Sequence, residues 1–89
     1  MITQLNKDSR VHIVLIHDGK RWYLNNVEAA RQPNTGELYL KGTWNSDHRQ
    51  SRCQTFETAT RIRERFKRES GLTTHLAFEA GDTAELIQD

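Results

Sequence analysis

Four histidines, one cysteine and a row of arginines are the side chains of this chain with distinctive chemistry of their own. His12 and His17 both fall in the run from Arg10 to His17, Arg-Val-His-Ile-Val-Leu-Ile-His. At the two-residue period of an extended chain they point to opposite faces, so they do not hold one metal ion together without a bend. His48 and Cys53 share a polar stretch at a spacing that matches no standard zinc motif. Cys53 with His48 or His75, and Asp18 with His17, are pairs of the kind that nucleophilic or acid–base catalysis uses. No nucleophile elbow, phosphate loop or paired-carboxylate motif fixes any of them in space. Each histidine therefore reads as a surface or sheet-edge residue. A metal or thiol site at Cys53 and His48 is the minor alternative, and no metal, cofactor or catalytic residue is expected.

The arginines form a pattern. The segment from Thr58 to Ser70 carries Arg61, Arg63, Arg65, Lys67 and Arg68. At about 100° per residue, Arg61, Arg65 and Arg68 lie roughly opposite Ile62 and Phe66. Glu57 to Arg61 and Glu64 to Arg68 have the i,i+4 order that supports a helix by a few tenths of a kcal/mol each. A solvated, self-paired charged face is the plain reading. The functional one is a patch for phosphates or for an acidic protein surface, extended by Arg49 and Arg52 from the preceding loop. Trp22, Tyr23, Tyr39 and Trp44 add strand aromatics of the kind that stack on single-stranded nucleic acid. No ribonucleoprotein motif, glycine loop of the KH type or paired zinc ligands accompany them, so they read as core.

Charge supports selective binding more than general attraction to polyanions. The chain of 89 residues has a net charge of +1. Six basic residues face three acidic ones between Ser51 and Ser70, whereas the stretch from Gly71 to Asp89 has four acids and no Lys or Arg. A basic helix followed by an acidic tail can bind an anion or bind itself. The hydrophobic fraction, 35%, is low for a single domain of this size, which points to a thin core and to help from a dimer or a partner. One cysteine excludes an intrachain disulfide and suits a reducing cytoplasm. No apolar run is long enough for a membrane span or a secretory signal, so a cytoplasmic location is expected.

These side chains need elements to position them. Arg10 to His17 reads as a central strand, with Val11, Ile13 and Leu15 on one face and His12, Val14 and Ile16 on the other. Asp18-Gly19 marks a hairpin. Lys20 to Asn25 follows as a strand that continues, through an irregularity at Asn25-Asn26, into Val27 to Arg31. Gln32 to Gly36 is a second turn, and Glu37 to Trp44 alternates again, with Leu38, Leu40 and Trp44 against Tyr39, Lys41 and Thr43. Asn45 to Gln54 reads as a loop. Thr58 is the expected helix N-cap, Ala59, Ile62 and Phe66 the buried stripe, and Gly71 the C′ residue. Thr73 to Glu79 is a fourth strand. Residues 1–9 and 81–89 read as loose tails, the latter with a short helical turn around Ala84 to Ile87.

Trp44-Asn-Ser-Asp47, Phe56-Glu-Thr58 and Gly71 leading to Leu76-Ala-Phe78 carry a resemblance. In about half of its length the chain resembles small accessory proteins of phages and other mobile elements. The resemblance implies a role in host takeover or defence evasion, such as blocking a nuclease or a CRISPR complex. Inhibitors of that type are often strongly acidic DNA mimics, and a net charge of +1 departs from them.

The expectation is one α+β domain: an antiparallel sheet of three to four strands in the order β-β-β-α-β, with one helix on one face. Its expected function is non-enzymatic protein–protein interaction, with a nucleic-acid-handling complex as the partner and Arg49, Arg52, Arg61, Arg65 and Arg68 as the contacts. Direct nucleic-acid binding by the same arginines is the alternative. Val14, Ile16 and Tyr23, on the sheet face the helix leaves bare, are the expected interface of a homodimer.

Overall fold

The computed structural model describes residues 5–88. Residues 1–4 and Asp89, at the far ends of the two expected tails, and the side chain of Leu40 lie outside that description. Strand β1 is Arg10–His17, β2 Lys20–Arg31 and β3 Leu38–Asn45. A 3-10 turn, His48–Gln50, precedes the two-residue strand β4, Gln54–Thr55, and helix α1, Phe56–Ser70. Strands β5, His75–Ala80, and β6, Thr83–Ile87, follow. The fold is α+β, and all strand pairs are antiparallel. The described residues form six strands where three or four are expected, in the order β3-β2-β1-β5-β6, with β4 paired to β1.

β1 is central because both of its faces are apolar and both are covered: Val11, Ile13 and Val14 have no exposed surface. On the helix side Val11, Ile13, Leu24 and Leu76 pack with Ala59, Ile62 and Phe66 of α1. The expected irregularity in β2 is a register shift between Leu24 and Asn26. The extra residue resets the alternation, so Leu24 before it and Val27 after it both turn towards the helix.

Opposite Val27 stands Gly42. A Cβ there would lie 2.6 Å from Leu24 Cδ1 and 2.9 Å from Phe66 Cζ. The helix lies so close to β3 that Phe66 fills the space a side chain would need, with its ring 5.6 Å from that of Trp44. This glycine is demanded by packing.

Three boundaries differ from the sequence expectation, each for a physical reason. The helix begins at Phe56, and its N-cap is Thr55, whose Oγ1 accepts the Thr58 amide at 3.2 Å. The earlier start is supported from outside the helix. The Phe56 and Glu57 amides donate to the carbonyls of Ser9 and Lys7, at 2.7 and 3.2 Å. Residues 5–9 are therefore no loose lead-in, and Leu5 packs against the core. At the other end Gly71, at φ 75°, closes the helix as expected, its amide donating to Lys67 O at 2.9 Å.

The third difference is the acidic tail, which forms β6. Gly81-Asp82 makes a two-residue hairpin, with Gly81 at φ 69°, and pairs Leu76 with Ile87 and Ala77 with Leu86. A short apolar run such as Ala84-Glu85-Leu86-Ile87 fits a helical turn and a strand equally well by period; the turn before it decides. No helix among the described residues is long and apolar enough to cross a membrane.

Two substitutions check this packing. Gly42→Ala should destabilise the domain by about 1–3 kcal/mol through overpacking, even though alanine is the better strand residue. Urea denaturation reads it, and a stability equal to wild type would refute the close approach. Thr55→Ala should cost about 1 kcal/mol as a lost cap. Thr58→Ala should cost clearly less, and the reverse order would restore Thr58 as the cap.

Candidate functional site

The structure separates the arginines expected to act together. Arg61, Glu64, Arg65 and Arg68 line one groove, whose other wall is Ala29, Leu38 and Tyr39 of the β2–β3 hairpin. Leu38 is 47% exposed there. Within the helix, Arg61 Nη2 meets Glu57 Oε1 at 2.8 Å and Arg65 Nε meets Glu69 Oε1 at 3.2 Å. The exposed Arg61–Glu57 pair is worth at most about 1 kcal/mol and exchanges partners readily, whereas Arg65 and Glu69, with side chains 26% and 20% exposed, are half-buried. Arg49 and Arg52 do not line this groove. Arg49 is clamped on Asp47, with Nε 3.1 Å from Oδ1 and Nη2 3.3 Å from Oδ2, and that bond holds the Asp47 carboxyl below its ordinary range. Arg52 is exposed in the loop that follows.

The sheet face away from the helix is not the open apolar strip expected of it. Of the three residues proposed there as a dimer interface, Val14 and Tyr23 are buried within the chain and only Ile16, 42% exposed, reaches solvent. Val14 and Tyr23 pack with Ala77 and Ala84. The stretch expected to be a loop folds its 3-10 turn against this face. Asp47 caps that turn by accepting the Arg49 amide at 2.9 Å. His48 is thereby buried, its ring 5.7 Å edge-on from Tyr23 and 6.2 Å from His12.

A polar cluster results from four separate elements. His12 comes from the middle of β1, His48 and Ser51 from the 3-10 turn and its C-cap, Cys53 from the lead into β4, and Glu79 from the end of β5. The Glu79 carboxylate contacts both rings: Oε2 touches His12 Nε2, and Oε1 lies 2.6 Å from His48 Nδ1. Cys53 Sγ lies 3.5 Å from the same His12 Nε2. The His12 bond is the main cause holding Glu79 below the ordinary carboxylate range. Burial, with Glu79 nearby, pushes the Cys53 thiol up.

The remaining hydrogen bonds fix the protons on both rings. Ser51 Oγ donates its one proton to the His48 carbonyl at 3.0 Å, so its contact with His12 Nδ1, also 3.0 Å, is one in which Nδ1–H donates. His48 Nε2 lies 3.0 Å from the Asp82 carbonyl, which can only accept, so Nε2–H donates. When the rings are neutral, the bare nitrogens are therefore His12 Nε2 and His48 Nδ1. These are the two that face Glu79.

Sequence reasoning reads every histidine as a surface or sheet-edge residue: that holds for His17, exposed 3.4 Å from Asp18, but His12 and His48 are buried. It did not bring His12 and Glu79 together with His48 and Cys53. The signal present was His12 itself, a polar residue inside a β-branched run whose two faces both have to be covered.

Comparison with models of protein families, with curated proteins and with solved structures returns no match.

The tautomers are directly measurable. In chelator-treated protein, at a pH where both rings are neutral, long-range ¹H–¹⁵N correlations should show His12 protonated on Nδ1 and His48 on Nε2. The opposite tautomer on either ring would contradict the hydrogen-bond network.

Proposed function

We propose that this chain is a non-enzymatic protein-interaction module that takes an acidic segment of a partner protein in the groove between α1 and the β2–β3 hairpin. The observation that carries the reading is the convergence of Arg61, Arg65 and Arg68 on one groove beside the exposed Leu38. The arginines offer forked donors for carboxylates, and Leu38 offers an apolar contact to anchor the segment. The carboxylates of Glu57 and Glu69 already occupy Arg61 and Arg65, and a partner's carboxylates would take over the same geometry. The resemblance to mobile-element proteins favours a partner from a nucleic-acid-handling complex.

The chemistry of Cys53 supports a non-enzymatic role. Its thiol is pushed up by burial, the opposite of an activated nucleophile. His12 Nε2, the nitrogen that would take its proton, is shared with Glu79, while Nδ1 is held by Ser51. A relay of nucleophile, imidazole and carboxylate needs the carboxylate on the other nitrogen.

Capture from a nuclease-treated lysate tests the reading. The double variant Arg61→Glu/Arg68→Glu reverses two exposed charges and should remain folded while losing more than nine-tenths of the partner that wild type retains. Equal capture by the folded variant refutes the groove. Capture that collapses on nuclease treatment replaces a protein partner by nucleic acid, with the steep loss on added salt that phosphate contacts entail.

A further inference from the structure

We propose that His12, Cys53 and Glu79 form a metal centre for zinc or a cation of its class, which fastens the 46–53 segment to the sheet. This is a site separate from the groove and stands or falls without it.

The donor set comes first. Nε2 of His12, Sγ of Cys53 and a carboxylate oxygen of Glu79 lie within 4.8 Å of one another. Nδ1 of His48 faces the second oxygen of the same carboxylate. An imidazole, a thiolate and a carboxylate are ligands that zinc accepts together. The separation of Cys53 Sγ and His12 Nε2, 3.5 Å, is that of two ligands on one tetrahedral zinc. With bonds of about 2.3 Å to sulfur and about 2.05 Å to nitrogen, the two atoms stand about 3.6 Å apart.

The proton positions point the same way. A histidine that binds a metal donates its other ring N–H to a carbonyl, hydroxyl or carboxylate, which orients the ring and aims the bare nitrogen. His12 does so to Ser51, and His48 to the Asp82 carbonyl. His48 Nδ1 then faces a carboxylate oxygen, lone pair against lone pair, and His12 Nε2 faces another with only the weak Cys53 S–H, 3.5 Å away, to answer it. His48 Nδ1 is buried and has no aligned hydrogen-bond partner, although Glu79 Oε1 is only 2.6 Å away. Either an extra proton or a cation must sit among these atoms, because buried acceptors that face one another without one repel. A cation takes His12 Nε2, the Cys53 sulfur and a Glu79 oxygen at once. A single proton bridges one ring to the carboxylate and leaves the nitrogen of the other ring unserved.

The room exists for it. His12 is 1% exposed and His48 8%, which fixes their rings, whereas Glu79 sits at the open end of β5 with its side chain 40% exposed. A small withdrawal of that carboxylate opens the distance a coordinated cation needs. Three protein donors hold the ion and leave a fourth position for water or for His48 Nδ1, which lies 2.6 Å from Glu79 Oε1. The centre's effect on the fold is a cross-link. It joins β1 to the lead into β4 and to β5, segments far apart in the chain, in a domain with a thin core. Binding exchanges the thiol proton of Cys53 for the metal, so affinity should rise with pH.

The test uses the full chain, reduced, stripped with a chelator and titrated with Zn²⁺, then with Co²⁺ as a spectroscopic probe. The expected result is one Co²⁺ per chain with a thiolate-to-cobalt charge-transfer band and intense visible bands of a tetrahedral ion. Zn²⁺ should displace it and raise the melting temperature. Cys53→Ser, a near-isosteric change, should abolish the charge-transfer band, and Glu79→Gln should weaken Co²⁺ binding. Ser51→Ala, which touches no metal but frees the His12 Nδ1–H and removes the hydrogen bond to the His48 carbonyl, should weaken zinc by roughly 10- to 100-fold. Absence of Co²⁺ uptake by folded wild-type protein overturns the proposal. So does a weakly absorbing octahedral spectrum without a thiolate band, or zinc affinity unchanged in the Cys53→Ser/Glu79→Gln double variant.

Discussion

An imidazole in the middle of the central strand sets the terms for half of this molecule. His12 occupies a position where its neighbours in sequence, Val11 and Ile13, are buried in the helix-side core, and its own face is sealed as well. A buried ring with two nitrogens must find two partners, at a cost of about 1–3 kcal/mol for each one missing. The sheet supplies one, Glu79, from two positions beyond Ala77, the residue registered opposite His12 on β5. The other is Ser51, delivered by folding the 46–53 segment down onto the sheet. Once that segment is in place, His48 and Cys53 follow, because they flank Ser51 in sequence. The cluster is thus a consequence of satisfying one ring.

The opposite face obeys a different constraint, which is shortage of bulk. With few large apolar residues, the domain gains burial by bringing backbones close. Gly42 lets Phe66 down onto β3, and Ala59 lets the helix sit on the sheet. Ala77 and Ala84 do the same on the far side, where Tyr23 supplies the volume. Close approach makes each contact efficient and each small residue irreplaceable, since an interior packed this tightly has no slack to absorb a methyl group. The basic face of the helix is what remains outside, and its charges are arranged to neutralise one another until something else displaces them.

Local signals in the sequence and long-range ones fared differently. The central strand, the bulge at Asn25-Asn26, both early turns, the buried stripe of Ala59, Ile62 and Phe66 and the stop at Gly71 all follow from period and from turn chemistry, which act over a few residues. The helix start was misread because its first amides are satisfied by Lys7 and Ser9, some fifty residues earlier in the chain. β6 was misread because its identity rests on the hairpin at Gly81-Asp82 and on pairing with β5, while its own four apolar and acidic residues fit either period. The cluster was the least legible part. His12, His48, Cys53 and Glu79 are spread over four elements, and nothing in their spacing reveals that β1 and β5 are neighbours. Arg61, Arg65 and Arg68 were placed correctly on one helix face, whereas Arg49 belongs to a turn whose geometry depends on Asp47.

The two faces are joined by the alternation of β1, and this gives the polar cluster a role in specifying the fold that does not depend on what it binds. Val11 and Ile13 point to the helix and His12 and Val14 away from it, but by size and shape the strand Val-His-Ile-Val-Leu-Ile offers almost as good an apolar face in either direction. A slip of one residue would turn Val14 and Ile16 to the helix and leave the apolar burial of the strand little changed. It would also drive His12 into the core between Leu24 and Leu76, with neither nitrogen paired. The penalty for that unpaired ring separates the native register from the slipped one more sharply than the aliphatic residues can. Glu79 and Ser51 therefore act on register before they act on stability: they make one of two nearly equivalent hydrophobic solutions the only one in which every buried polar group is answered.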